Sequence, residues 1–285
     1  MITQLAYAKL NLNLHVLPKL LPNNYHQIKS INCEVDLSDK VTLKENLGGI
    51  KLICSNPNLV DDESNLAYKA ADLIMQKFHP RCGTKITLDK QIPVTGGLGG
   101  GSTDGAAVIN SLNQLWNLKL TDQEKIDLAK KLGMDVCYSV IGGICMVTGA
   151  GEIVEPLNIS FPNINIIIVS PKSQKSSTAW AYKLLNQDKV GKNLEKINKI
   201  LKALKEKDIF NMADNLHNDF EEPLICEFPE IAKIKVKMMK NKALNTLLAG
   251  SGLSVFGIWE NQKTVNIAFN KLKKIYSQTY LCQTI

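Results

Sequence analysis

The chain has 285 residues, 45% of them hydrophobic and 21% charged, with a net charge of +7. That is chain enough for a substantial core in one large or two modest domains, and the composition is that of a globular protein, neither disordered nor fibrous. Arg81 is the only arginine and no apolar run is long enough to span a bilayer, which excludes a site of several guanidinium forks, an arginine-rich nucleic-acid surface and a membrane-spanning helix.

The positive charge reads first as a lysine- and asparagine-rich composition and second as attraction for anionic substrates. The seven cysteines are an odd number with no C-x-x-C pair, which predicts reduced thiols in a cytoplasmic protein. The four histidines are scattered along the chain, which argues against a metal cluster. Lys9, Asn11 and Asn13 interrupt the apolar pattern of the N-terminus, so it does not read as a signal peptide.

Leu10, Leu12, Leu14 and Val16 alternate with Lys9, Asn11, Asn13 and His15, which predicts a strand with one polar face. Lys9 and Asn11 then point the same way, on a face that is ordinarily solvated. Pro22-Asn23-Asn24 predicts a turn before Tyr25 and His26, and asparagine at 24 tolerates the left-handed conformation. Further strand is expected over 31–43. Asn65 opens a helix to about Phe78, either as a plain N-cap or as a ligand contact. Ile86 and Leu88 alternate with polar neighbours in another strand.

Next comes Pro93-Val94-Thr95-Gly96-Gly97-Leu98-Gly99-Gly100-Gly101-Ser102-Thr103, followed by Val108, Ile109, Leu112 and Leu115 at helical spacing. A glycine loop therefore joins a strand to a helix N-terminus. Open N–H groups and the positive dipole end make that junction a phosphate site. No Gly-Lys-Ser/Thr follows, so it is not a Walker loop, and its spacing is not that of the dinucleotide fingerprint.

Thr121 to Glu124 spells a capping box. Its helix is expected to end in a left-handed cap at Gly133, leaving Asp135 in a turn before Gly142-Gly143 and a strand over 144–147. Residues 156–162 read as a domain crossing, and 164–170 as a strand. Ser176-Ser177-Thr178 starts a helix containing Trp180 and Tyr182. Residues 183–218 read as helical with a solvated lysine-rich face. Asn218 to Glu221 reads as organising structure, and Gly250-Ser251-Gly252 as a turn into a strand.

Three segments in order, Ala8 to Leu12, Gly97 to Ser102 and Gly250 to Gly252, resemble the three motifs of the GHMP kinase superfamily, and the resemblance covers nearly the whole chain. The triple glycine 99–101 and Tyr25-His26 are similar to the branch that acts on a cytidine-diphosphate-linked substrate. The resemblance implies an α+β, two-domain GHMP kinase fold, with a ribosomal-protein-S5-like N-terminal half over 1–155 that binds ATP and a ferredoxin-like half over 156–285. It implies ATP-dependent phosphorylation of the 2-hydroxyl of a cytidine-diphosphate methylerythritol in non-mevalonate isoprenoid synthesis. Another GHMP kinase of the homoserine type, or a silent nucleotide sensor, are the alternatives.

By the same resemblance Lys9 and Asp135 are catalytic. Residues 93–103 and Asn65 bind ATP, and Asn11, Tyr25, His26, Thr178 and Tyr182 bind substrate. Mg²⁺ accompanies ATP on ligands left open. The partner is a small molecule, with no nucleic acid and no membrane, and the protein is a monomer or weak homodimer. Tyr7 and Cys137 stand where the family has proline, Asn24 where it has glycine, and Leu253 is bulkier than usual there.

Overall fold

The computed structural model describes residues 1–22, 24–94, 96–159, 163–173 and 175–285. Strands β1 (Ile2–Leu20) and β2 (His26–Asn46) form a long antiparallel pair. Both run well beyond the sequence pattern, because ladder pairing carries the strands past their apolar stretch. Asn24 has φ 62, so asparagine does take the left-handed position in the connecting turn. Then come β3 (Ile50–Cys54), α1 (Leu66–Phe78), β4 (Gly83–Asp89) and α2 (Gly100–Leu115). Helices α3 (Asp122–Ala129) and α4 (Met134–Ile141) and the hairpin of β5 (Cys145–Thr148) and β6 (Ile153–Pro156) follow.

The remaining elements are β7 (Asn165–Val169), α5 (Thr178–Lys183), α6 (Glu195–Glu206), α7 (Ile209–Asp214) and β8 (His217–Asn218). Helices α8 (Glu221–Glu227) and α9 (Glu230–Lys240) precede β9 (Asn245–Leu248), β10 (Val255–Trp259), α10 (Gln262–Lys273) and β11 (Thr279–Gln283). One sheet runs β3-β4-β2-β1-β8, with β5 on β2 and β6 on β5, and the other runs β11-β7-β10-β9. Among the described residues no helix is long and apolar enough to cross a membrane.

The helices α1 and α2 cover the first sheet, burying Ala70, Ile74, Val108 and Leu112 against Leu43, Ile86 and Leu88. A second core joins the sheets: Leu10, Leu12 and Ile31 pack with Ile166, Ile168 and Phe256. Each such side chain contributes about 1.5–3 kcal/mol on burial. Ile197, Ile200 and Leu204 of α6 join this core, so the helical part of 183–218 has a buried stripe behind its lysines and is divided into short elements. Two helices, α6 and α7, and the short strand β8 follow one another there.

The polar face of β1 is also not solvated. Lys9, Asn11, Asn13 and His15 are all buried. A register shift between Asn11 and Asn13 breaks the ladder, and the Ile31 N–H donates instead to Asn13 Oδ1 at 2.9 Å. Another shift separates Tyr7 from Ala8, at the position where the family has proline. Helix α3 stops at Ala129, and Gly133 is the N-cap of α4 instead of a left-handed C-cap. The expected capping box is present, Thr121 and Glu124 satisfying each other's N–H groups.

Candidate active site

Strand β1 presents Lys9, whose own N–H donates to Leu98 O at 3.0 Å and so ties the glycine loop to the strand. Its ammonium donates to Asn11 Oδ1 at 2.8 Å and lies 3.8 Å from Asp135 Oδ1. The Asn11 amide donates to Ser30 Oγ and Asn32 Oδ1, which fixes its oxygen toward Lys9. Only 6% of the Lys9 side chain is exposed against 64% for Asp135, so the cation is held from behind while the carboxylate faces an open cleft.

Asp135 lies in the first turn of α4, not in a turn between helices. A carboxylate there is stabilised by the helix dipole. Cys137 is fully buried in the same helix, and burial pushes its thiol up to about 11. An inert apolar side chain therefore fills the place of the family's proline without breaking the helix.

Helix α2 has Gly99 as its N-cap, left-handed at φ 75, with no side chain satisfying its first N–H groups. They border a cavity of about 490 Å³ whose walls include Lys9, Asn65, Gly96 to Ser102, Asp135 and Thr178. Uncapped donors beside a lysine suit an anionic polyphosphate, so these residues fit ATP. Glycine is required at 97 for a different reason. A β-carbon there would lie 2.0 Å from Ala249 O, and one at Gly252 would lie 2.1 Å from Gly97 N. The second and third motif segments thus touch backbone to backbone. Leu253 is buried in the core beside them, which accommodates its bulk.

Behind the loop, the Lys90 ammonium bonds both Asp39 and Asp104, all three buried. Burial pushes Asp104 up to about 7, Lys90 opposing and Asp39 reinforcing. Toward the other side, the rings of His26 and Tyr182 stack with centroids 5.3 Å apart, and Tyr182 meets Phe220 edge-on. His26 Nδ1 is buried with no hydrogen-bond partner. Burial, with the Asp135 carboxylate second, raises the Tyr182 phenol well above its usual range. Tyr25 is half exposed.

The fold brings Lys9, Asp135, Asn65, Pro93, Val94, Gly96 to Ser102 and Thr178 to one cavity wall. Asn65 is at once the N-cap of α1, accepting from Ala67 N–H, and a wall residue. Asn11 is placed behind Lys9, where its amide is spent on Lys9, Ser30 and Asn32, so it supports the lysine instead of lining the cavity. Thr103 is buried inside α2, its hydroxyl donating to Gly100 O, and so is also off the wall. Thr95 lies outside the described residues. Among the described residues of the loop, Gly97 and Gly99 have positive φ, while 100 and 101 are helical.

Lys175 was invisible as a site residue in a lysine-rich chain. It lines the cavity and donates to the backbone oxygen of Ser251 and, at 3.0 Å, to its hydroxyl. Burial lowers its pKa to about 8, Asp135 opposing and Lys9 adding.

Residues 65–143 match the model for the GHMP kinases N terminal domain, and 182–278 the model for the GHMP kinases C terminal domain. The chain is 37% identical over 280 residues to the 4-diphosphocytidyl-2-C-methyl-D-erythritol kinase of Acetivibrio thermocellus, covering 98% of each. It is 38% identical over 262 residues to that of Synechococcus sp. (strain JA-3-3Ab), covering 90% of this chain and 84% of the relative. A crystal structure of 4-(cytidine 5'-diphospho)-2C-methyl-D-erythritol kinase superposes with a TM-score of 0.84 at 27% identity, over 99% of both chains. With both GHMP domains matched and relatives aligned nearly end to end, the chain belongs to the 4-diphosphocytidyl-2-C-methyl-D-erythritol kinase family of the GHMP kinases.

Proposed function

We propose that the protein transfers the γ-phosphoryl group of ATP to the 2-hydroxyl of 4-diphosphocytidyl-2-C-methyl-D-erythritol, a step in non-mevalonate isoprenoid precursor synthesis. The observation that carries the reading is the Lys9–Asp135 pair set against the uncapped N-terminus of α2. Phosphoryl transfer demands alignment and charge neutralisation more than covalent chemistry. Backbone N–H groups at Gly100 to Ser102 orient the phosphates. Asp135 accepts the proton of the substrate hydroxyl, and Lys9 neutralises charge that develops during transfer. Mg²⁺ supplies further neutralisation when bound, and Ser102, which borders the cavity, is the residue we assign to hold it.

His26 and Tyr182, with Tyr25, form the cytosine subsite in this reading. The unpartnered His26 nitrogen supports it, because a base edge would satisfy that atom. Thr178 borders the cavity of the glycine loop, four residues before Tyr182 in the chain, and we assign it to the substrate. We place the boundary between the ATP-binding half and the second half near Pro156, where β6 ends. The unpaired state of all seven cysteines supports a cytoplasmic setting.

The test is kcat/KM for the cytidine substrate against its uridine analogue, in wild type and in His26→Ala. Uridine exchanges donor and acceptor on the recognised edge, so wild type should prefer cytidine by more than about 100-fold and the variant should lose much of that preference. Equal use of both bases by wild type would remove the cytosine subsite. Phosphorylation of homoserine with no response to either nucleotide would move the assignment to the homoserine type of GHMP kinase.

A further inference from the structure

Two of the scattered histidines meet in the fold. Strand β8 pairs in parallel with β1, setting His217 opposite Asn13 and Asn218 opposite Leu14. The rings of His15 and His217 stack there, with centroids 4.4 Å apart and planes 21° from parallel. Asp219 follows directly, its Oδ1 2.7 Å from His217 Nε2. One ligand atom from each of the three lies within 4.8 Å of the other two. Strand geometry puts His15 roughly 20 Å along β1 from Lys9, so the cluster stands apart from the proposed phosphoryl-transfer site.

His15 is fully buried, and neither of its ring nitrogens has a hydrogen-bond partner. A buried polar atom left unpaired is costly, and a histidine has both a donor and an acceptor to satisfy. Stacking on His217 satisfies neither. The surroundings are those of a ligand set. Asp219 Oδ2 accepts from Val16 N–H at 2.7 Å and from Gly191 N–H at 3.0 Å, which holds the carboxylate with its other oxygen toward the histidines. Outer hydrogen bonds of this kind orient a metal-binding carboxylate. A cavity of about 300 Å³ bordered by His217 and Asp219 provides a way in and room for a solvent ligand.

We propose that His15, His217 and Asp219 form a binding site for one divalent transition metal of borderline softness, zinc by preference, completed by water. Two imidazoles and one carboxylate suit Zn²⁺ or Co²⁺ better than Mg²⁺ or Ca²⁺, which take oxygen ligands. The ion would replace the proton shared by His217 and Asp219 and satisfy one nitrogen of His15. It would staple the segment around β8 to the strand that carries Lys9, so its role is structural.

The test uses the full chain, stripped with a chelator that is then removed, in buffer without Mg²⁺. Co²⁺ alone is titrated while the visible d–d bands are recorded. One equivalent should bind with the absorption of a four-coordinate site. Zn²⁺ should raise the melting midpoint of the wild type as mass action requires. His217→Gln, at a partly exposed position, should weaken Co²⁺ binding by at least about 100-fold, while Cys226→Ser, which alters an exposed thiol, should not change it. His15→Ala should behave like His217→Gln, and if it fails to melt cooperatively the His217 variant still decides. A wild type that takes up no Co²⁺ and shows no shift in melting overturns the site, as does His217→Gln binding Co²⁺ with unchanged affinity and spectrum.

Discussion

The molecule holds two lysine–aspartate groups of similar composition on either side of the glycine loop, and they are built for opposite ends. Lys9 meets one carboxylate at 3.8 Å, and that carboxylate is mostly exposed. Lys90 meets two carboxylates, and none of the three is open to solvent. Burial disfavours the charge on Lys90, but the two carboxylates more than offset it and raise its pKa overall. Burial pushes Asp104 up, and because one ammonium is shared between two carboxylates the charge on Asp39 reinforces that rise against the pull of Lys90. Closure turns the same residue types into a brace, and a loose contact at a cleft leaves the carboxylate of the other pair open.

Breaking each group should therefore fail in a different observable. Asp135→Asn should lower kcat by a factor on the order of 10²–10⁴ with an unchanged melting midpoint, since the side chain is exposed and supports no packing. Wild-type turnover in that variant would make Asp135 a surface residue. Lys90→Met should do the reverse. It strands two buried carboxylates and should cost about 3–5 kcal/mol in urea unfolding, while kcat of the remaining folded protein falls far less than in Asp135→Asn, although Lys90 also borders the cavity.

The brace itself is asymmetric, and that sharpens the comparison. Asp39 Oδ1 also accepts from Gln91 and Ile92 N–H groups, the latter at 2.8 Å, whereas Asp104 Oδ1 has no partner. Asp39→Asn should cost about 2–3 kcal/mol and Asp104→Asn about 1 kcal/mol or less. Equal losses in parallel denaturation curves would show that the backbone bonds to Asp39 add nothing.

The smallest effect concerns Lys175, on the open side. Its folded pKa of about 8 lies below the ordinary lysine value of 10.5 because burial disfavours its charge. Between those values the unfolded chain binds more protons, so stability should rise with pH across that window and lose this gain as pH falls through 8. Its charge faces the cavity, so kcat/KM for ATP should decline above pH 8 by no more than about tenfold per unit. Lys175→Met should flatten both dependences. A decline that persists unchanged in the variant would assign the titration to another group.

Local chemistry was legible in the sequence and closure was not. The strand of Lys9, the helix opened by Asn65 and the loop–helix junction at Gly99 follow from alternation, capping and glycine content. The start of α4 was hidden because Gly133 serves equally well to stop one helix or to start the next. The anchoring of Asn11 by Ser30 and Asn32, the brace on Lys90, the reach of Lys175 to Ser251 and the stacking of His15 on His217 all depend on partners far away in the chain. No period or motif announces such a meeting, and the lysine-rich background conceals the two lysines that matter.

The backbone contact between Gly97 and Gly252 bears on how the two halves can be exchanged among relatives. Because neither position has space for a single additional carbon, the two loops form one interlocking surface encoded in distant parts of the gene. A hybrid that joins the front of this chain to the back of another kinase would need both glycines and the spacing around them. Compatibility at that seam, more than resemblance of the separate halves, would decide whether the hybrid closes into a working cleft. The seam thus makes the two halves a single unit of inheritance, as does β8, which the second half lends to the first sheet.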